Sequence, residues 1–309
     1  MTHPFRFGIQ ANAPADPTGW AGLARRAEEL GYSTFSMADH FSNQLSATPG
    51  LAMAAAATTT LRVGAMVFCN DFRHPVVLAH DAGTLDVLSG GRLELGIGAG
   101  WMHTDYEQTG MTYDSPGTRI KRMEEATGII KSWFTAEEFS FSGNWYTIDG
   151  LTGHPSTQKP HPPILMGGGA PRMLQTAARC ADIIGLNASL SAGVIDASAG
   201  PSATLARTME KINWIREEAG DRFDSIELQS RIHLATVTDD AVGFAKVMGP
   251  AVGLTAEEAM ASPHALAGTV DEIVDKVGRL RDDIGVSYLT WSASEMEAMA
   301  PVVAQLGGR

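Results

Sequence analysis

Short apolar strands alternate with amphipathic helices along the chain, and this alternation limits the fold more than any other feature. Eight segments read as strands: "FRFGI" (5–9), "STFSMA" (33–38), "LRVGAMVF" (61–68), "RLELGIG" (92–98), "PILMG" (163–167), "DIIGL" (182–186), "IELQSRIHLATV" (226–237) and "VSYLTW" (286–291). Between them lie helical patterns. Asp16 and Pro17 suit N-cap and N1 positions ahead of Trp20, Leu23, Ala24, Ala27 and Leu30, and Gly31 suits the C′ position. "GLAMAAAATT" reads as a short alanine-rich helix, and Pro75 opens "PVVLAHDAGTLDVLS". A longer helix is marked by Ile120, Met123, Ile130 and Phe134 near 118–134, and "RMLQTAARCA" follows the fifth strand. Eight strands with interleaved helices in 309 residues predict a (β/α)8 TIM barrel with loop insertions, a single domain over 1–309.

Three stretches break the rhythm. Residues 137–163 begin with an alternating aromatic and polar run around Gly143-Asn144, the pattern of a hairpin. Residues 186–202 are small and flexible in composition, and 249–268 read as an irregular insertion. Loops this long in a compact barrel are usually lids or binding loops.

Composition excludes several classes. Apolar residues at 44% and charged residues at 19% support a sizeable core. A formal charge of −12 argues against nucleic acid or an anionic membrane as partner. It leaves anionic small ligands open, because backbone amides bind phosphate without basic side chains. Only Cys69 and Cys180 are present, which suggests a reduced, cytoplasmic protein without disulfides. The N-terminal stretch lacks the pattern of a signal peptide, and no apolar run approaches the roughly 18 residues of a membrane span. Nine scattered histidines form no HxH or HExxH pair, so no metal site is expected.

In such barrels the C-terminal ends of the strands form the mouth where reactions occur. Asp39 and His40 lie just past the second strand and are open to two readings: a cap with a surface histidine, or a proton-handling histidine near neutral pH. After the third strand comes "CNDFRHP", in which Asp71 and Arg73 read as a loop-holding pair, and Cys69 reads equally as a packing residue. "GIGAGW" (96–101) has permissive GxGxG spacing. "LMGGGAPR" (165–172) sets three glycines between a strand and a helix start, an arrangement that exposes amides to a phosphate or else forms only a tight turn. The four elements together suggest a phosphate-bearing cofactor across the mouth. A Rossmann fingerprint in its proper context is missing, so a resident nicotinamide is not expected.

These same segments resemble the bacterial luciferase-like flavin/deazaflavin family. The blocks that carry the resemblance are "RRAEELGYSTFSMADH", "NDFRHPVVLAHDAGTLDVLSGGRLELGIGAGW", "QKPHPPILMGGGAPRMLQTAARCADIIG" and "GTVDEIVDKVGRLRDDIGVSYLTW". They span nearly the whole chain and are most similar to the branch of F420-dependent oxidoreductases. The resemblance implies an insertion-bearing barrel, usually a homodimer, with a deazaflavin (F420) or alternatively FMN at its mouth. It implies a non-prolyl cis peptide at Met66–Val67 behind the ring, and an acid–histidine pair in Asp39 and His40 beside it. Cys69 and Asn70 match ring-edge contacts, Gly98 and Gly100 line the approach to the ring, and Gly167, Gly168 and Gly169 match the phosphate turn. One departure concerns the sugar-phosphate dehydrogenases of the family, where a catalytic glutamate follows the fourth-strand glycines. This chain has Trp101 there, with Asp105 and Glu107 further on, so that mechanism is not carried over. Trp101 then either walls an apolar substrate pocket or simply packs.

The expected function is therefore hydride transfer between F420 and a small organic substrate. The alternative is an FMN-dependent monooxygenase supplied by a separate reductase. A non-catalytic flavin-binding relative is a third class, against which the intact "DH" and "GGG" segments speak.

Overall fold

The computed structural model describes residues 3–12, 17–154, 156–190, 193 and 197–309. Eight parallel strands close a barrel: β1 (Arg6–Gln10), β2 (Thr34–Met37), β3 (Arg62–Ala65), β4 (Leu93–Gly98), β5 (Ile164–Gly168), β6 (Ile183–Leu186), β7 (Glu227–Arg231) and β8 (Val286–Ser292). Each strand pairs with its sequence neighbours, and β8 returns to β1 with Arg6 opposite Tyr288 and Gln10 opposite Ser292. The β3–β4 seam is short, carried by Val63 opposite Leu93 and Gly64 opposite Glu94.

Closure buries both faces of the strands, and the residues answer to that. All six residues of β4 are buried. Leu93, Leu95 and Ile97 join the large apolar layer between strands and helices. Glu94, Gly96 and Gly98 occupy the alternate face, inside the barrel, where small residues are needed because the neighbouring strand crowds in. A Cβ on Gly96 would run into the Ala65 carbonyl, and one on Gly98 into the Val67 side chain. Leu165, Ile183 and Tyr288, from strands that are not all neighbours, meet in a small interior cluster with Met66 and Val67 packed against it.

At the N-terminal end of the barrel the interior is ionic. Arg6 donates to Glu227 at 2.7 Å and also to Glu94, while Arg62 donates to Glu94 at 2.8 Å and the Tyr288 hydroxyl to Glu94 at 3.3 Å. Helices cover the outside, and several start as their sequences dictate. Ser115 and Pro116 open the helix Pro116–Thr135, with the Ser115 hydroxyl accepting from the Thr118 amide at 3.2 Å. Asp16, expected as the cap of the first helix, lies outside the described residues; that helix runs Pro17–Glu29.

The structure departs from the sequence-based elements in three places. The third strand is interrupted: β3 stops at Ala65, the Met66–Val67 peptide is cis, and Phe68–Cys69 resumes pairing with β4. The predicted seventh strand, 226–237, is two strands. The Ile232 amide still bonds to Thr290 in β8 at 2.8 Å, but the His233 amide bonds to His264 at 2.8 Å, and Leu234–Val237 pairs with Ala265–Gly268 outside the barrel. Residues 249–268 are not irregular. They hold the end of helix Ala241–Ala251, the helix Ala256–Ala261 with a Thr255–Glu258 capping box, and the strand Ala265–Gly268. The predicted hairpin is present as Glu138–Ser142 against Thr147–Thr152. Its loop is pinned by Glu125, which accepts from the amides of Asn144, Trp145 and Tyr146 at 2.9–3.0 Å. The 186–202 segment lies partly outside the described residues.

Candidate active site

The mouth end of β2 delivers Asp39 and His40 in succession, and their side chains find different partners. Asp39 is buried and accepts from the Cys69 amide at 3.0 Å and from Arg73 at 2.8 Å. It thereby ties β2 to the segment beyond the cis peptide. The expected Asp71–Arg73 pair is not formed, because each finds a better-placed partner. Arg73 goes to Asp39, while Asp71 takes the fork of Arg122 at 2.8–2.9 Å and the Tyr106 hydroxyl at 2.9 Å.

His40 instead meets Asp105, from the first turn of the helix His103–Thr109. Nδ1 of His40 lies 2.6 Å from Oδ2 of Asp105, whose other oxygen accepts from the Phe41 amide at 3.2 Å. Both carboxylate oxygens are thus committed to residues 40 and 41, which orients the imidazole. The indole of Trp101 stands edge-on to that ring, 5.5 Å between centroids and 89° between planes. The half-buried His40 keeps Nε2 uncommitted by any described hydrogen bond, so a proton fixed on Nδ1 leaves Nε2 for exchange.

Cys69 and Asn70 are buried beside this pair. The Cys69 sulfur sits 3.5 Å from the Tyr106 hydroxyl, and burial pushes its thiol up to about 12. A thiol so placed stays protonated and is no nucleophile. Asn70 donates to the Tyr146 hydroxyl at 3.3 Å, which joins the site to the hairpin. Gly98 pairs with Cys69 across β4, and Gly100 has a φ of +79° where a Cβ would strike the Tyr106 hydroxyl. Both glycines are therefore required by the crowding of Val67, Cys69 and Tyr106. The cis peptide at Met66–Val67 falls at the same level, and Gln10 from the end of β1 donates to the Met66 carbonyl at 3.1 Å.

Across the mouth, Gly167 and Gly168 close β5 and Gly169 leads into the helix Pro171–Cys180. A Cβ on Gly169 would come within 2.5 Å of the Ala188 and Ser189 backbone, so the turn packs tightly against the end of β6. The N-cap, Ala170, makes no side-chain bond to this helix start, whereas Ser115, Thr204 and Thr269 cap theirs. The first-turn amides of the helix 171–180 are left for an external acceptor, a chemistry that fits a phosphate.

Among the described residues no group of three or more His, Cys, Asp or Glu side chains could hold a metal ion, and no helix is long and apolar enough to cross a membrane. The model of one protein family, luciferase-like monooxygenase, matches residues 1–242. The chain belongs to this family.

Relatives of this luciferase-like chain include an uncharacterized protein of Mycobacterium tuberculosis, 30% identical over 277 residues, covering 78% of this chain and 90% of the relative. Another is an F420-dependent glucose-6-phosphate dehydrogenase of Nakamurella multipartita, 28% identical, covering 76% of this chain and 69% of the relative. The fold is similar to that of the coenzyme F420-dependent tetrahydromethanopterin reductase from Methanopyrus kandleri, with a TM-score of 0.73 at 21% identity and 98% of both chains covered.

Sequence reasoning placed His40 at the mouth but missed Asp105 as its partner. An acid in the first turn of a helix is common because it complements the helix dipole, so Asp105 gave no distinctive signal. Arg231 was missed although a signal existed. Glu227, Gln229 and Arg231 alternate along β7, a polar row that only a barrel interior explains.

Proposed function

We propose that this luciferase-like protein is an F420-dependent oxidoreductase that moves a hydride between the cofactor and a small organic substrate. The observation that carries the reading is the His40–Asp105 contact of 2.6 Å, an oriented imidazole facing the barrel mouth opposite an uncapped glycine-rich turn. Relatives named for F420 chemistry support the choice of cofactor.

A bound deazaflavin supplies or accepts the hydride. Gly167, Gly168 and Gly169 would form the turn that presents the first-turn amides of the helix Pro171–Cys180 to its phosphate, and Met66, Val67, Cys69, Asn70, Gly98 and Gly100 would shape the bed for its ring. Asp105 keeps a proton on Nδ1 of His40, so Nε2 donates or accepts the proton that accompanies reduction or oxidation of the substrate. Asp39 acts as a positioning residue through Cys69 and Arg73. Trp101 walls the substrate side and limits the rotation of His40.

A second reading, an FMN-dependent monooxygenase fed by a separate reductase, is favoured by the description of the family itself. Titrating the purified protein separately with F420 and with FMN, followed by fluorescence, separates the two. Tight F420 binding is expected; micromolar binding of FMN without F420 would replace the first reading by the second.

A homodimer is part of the proposal. Met53, Val77, Val87 and Leu88 are exposed on the adjacent helices Ala47–Ala57 and Pro75–Ser89, an apolar surface that a second copy would cover. Light scattering after size exclusion is expected to give twice the chain mass, and a monomer at micromolar concentration would remove this part.

A further inference from the structure

Arg231 ends β7 on the interior row shared with Glu227 and Gln229, which brings its guanidinium to the top of the barrel beneath the mouth. Three acceptors hold it. Nε donates to the Gln10 side-chain oxygen at 3.1 Å, and Nη1 donates to the Thr290 carbonyl at 3.1 Å and to the Ile232 carbonyl. Gln10 in turn bonds to the Met66 carbonyl, so the guanidinium is tied to the cis peptide.

No described carboxylate lies within ion-pair distance of Arg231; Glu295, in the turn after β8, acts on it only from farther away. Burial, opposed by Glu295, pulls its pKa down to about 10, so it stays charged at neutral pH. A half-buried cation without a counter-ion is costly, and such groups concentrate at functional sites.

A purely structural role is the competing explanation, and Arg92 shows what that role looks like. Arg92 donates through Nε, Nη1 and Nη2 to Ser89, Leu61, Ala55 and Thr58, which occupies every nitrogen of its guanidinium. Arg231 differs, since no described group accepts from its Nη2. Nor is that atom sealed in the core, unlike the buried and unpartnered Nη1 of Arg73. The guanidinium is thus fixed along one edge and free along the other. Beside it, His233 Nε2 lies 2.7 Å from the Asn187 side-chain oxygen, adding a polar rim between the ends of β6 and β7.

We propose that Arg231 binds an oxyanion of the substrate, a carboxylate or a phosphate, and so restricts this enzyme to small anionic organic substrates. This rests on the oxidoreductase reading above for the word substrate, but the anion site itself is testable without turnover. Two nitrogen-bound hydrogens on Nη2 can engage the oxygens of such a group while Gln10 and the two carbonyls keep the fork still.

The test is calorimetric titration of the F420-loaded protein with inorganic phosphate and, separately, with acetate, for the native chain, R231Q and R231K. The native protein is expected to bind at least one probe, and the better-bound probe distinguishes phosphate from carboxylate. R231Q should weaken that probe by about tenfold or more, the loss expected of one charge-assisted contact. R231K, which keeps the charge but not the planar fork, should fall roughly threefold or more below the native protein. It carries the test alone if R231Q does not fold. Binding of F420 should be unchanged in both variants. The proposal is overturned if the native protein binds neither probe, if the variants bind them as the native protein does, or if the substitutions abolish F420 binding instead. Should the native protein bind no F420, the cofactor reading fails by itself, and the same titrations on the unloaded protein decide the role of Arg231.

Discussion

At the closed end of the barrel, Glu94 accepts from Arg6, Arg62 and Tyr288, and Glu227 accepts from Arg6. At the open end, Arg231 is held by carbonyls and an amide, and His40 has one nitrogen on Asp105. Both ends gather ionisable groups. The closed end satisfies its charges with one another, whereas at the open end, beside the complete Asp39–Arg73 and Asp71–Arg122 pairs, Arg231 and His40 each keep one nitrogen without a described partner. Internally complete networks hold strands together, and incomplete ones are where a ligand can supply the missing partner. The glycines divide the same way: Gly64 lets β3 approach Glu94 below, and Gly98 and Gly100 make room for the cis-peptide bend and Tyr106 above.

This contrast is breakable. Glu94→Ala should produce the largest effect, because it leaves Arg6 and Arg62 facing each other inside the closed end. A loss of ~3–5 kcal/mol is expected from urea unfolding. A cost below ~1 kcal/mol would mean that the closed end is no anchor.

At the open end the signature should reverse. His40→Ala should lower turnover about a hundredfold or more while the midpoint of thermal unfolding and the affinity for F420 stay near native. Native-like turnover in that variant would take His40 out of the chemistry. Asp105→Asn should cost less, roughly tenfold in turnover, because an amide can still contact the imidazole but no longer offers a charged acceptor to Nδ1. Native-like turnover in that variant would remove Asp105 as the residue that orients His40.

The smallest effect concerns Lys211, another cation on the mouth side that is bound by carbonyls alone, those of Asn187 at 2.7 Å and Ser202 at 2.5 Å. Burial lowers its pKa from 10.5 to about 8. Between those two values the unfolded chain keeps the proton and the native chain loses it, so this group makes stability rise with pH across that window. The rise is at most about 1.4 kcal/mol per pH unit. Lys211→Met should flatten it in melts at pH 8 and pH 10, and an unchanged slope would assign the dependence elsewhere.

Much of this was legible in the chain. Most of the strands were readable because a closed barrel needs apolar or small-residue runs, and those runs are bounded by caps and glycines; β7, with its polar interior row, is the exception. Boundaries failed where a strand changes partner. Nothing local at Ile232–His233 announces that the next amide will bond to His264 and leave the barrel. The 249–268 segment looked irregular because its alanines and glycines carry little periodicity, although the Thr255–Glu258 capping box was there to be read.

By itself, the sequence determined the order of βα units, the mouth position of Asp39, His40 and the glycine turn, and the family to which the chain belongs. Those properties depend on residues close together in the chain, where propensity, capping and backbone freedom act. Tertiary structure alone decided which acid meets which base. Asp39 and His40 adjoin in the chain, yet Asp39 is claimed by Arg73 and the Cys69 amide, and Asp105 arrives at His40 from 65 positions away. Pairing of charges depends on distance in space, and barrel closure is what sets those distances.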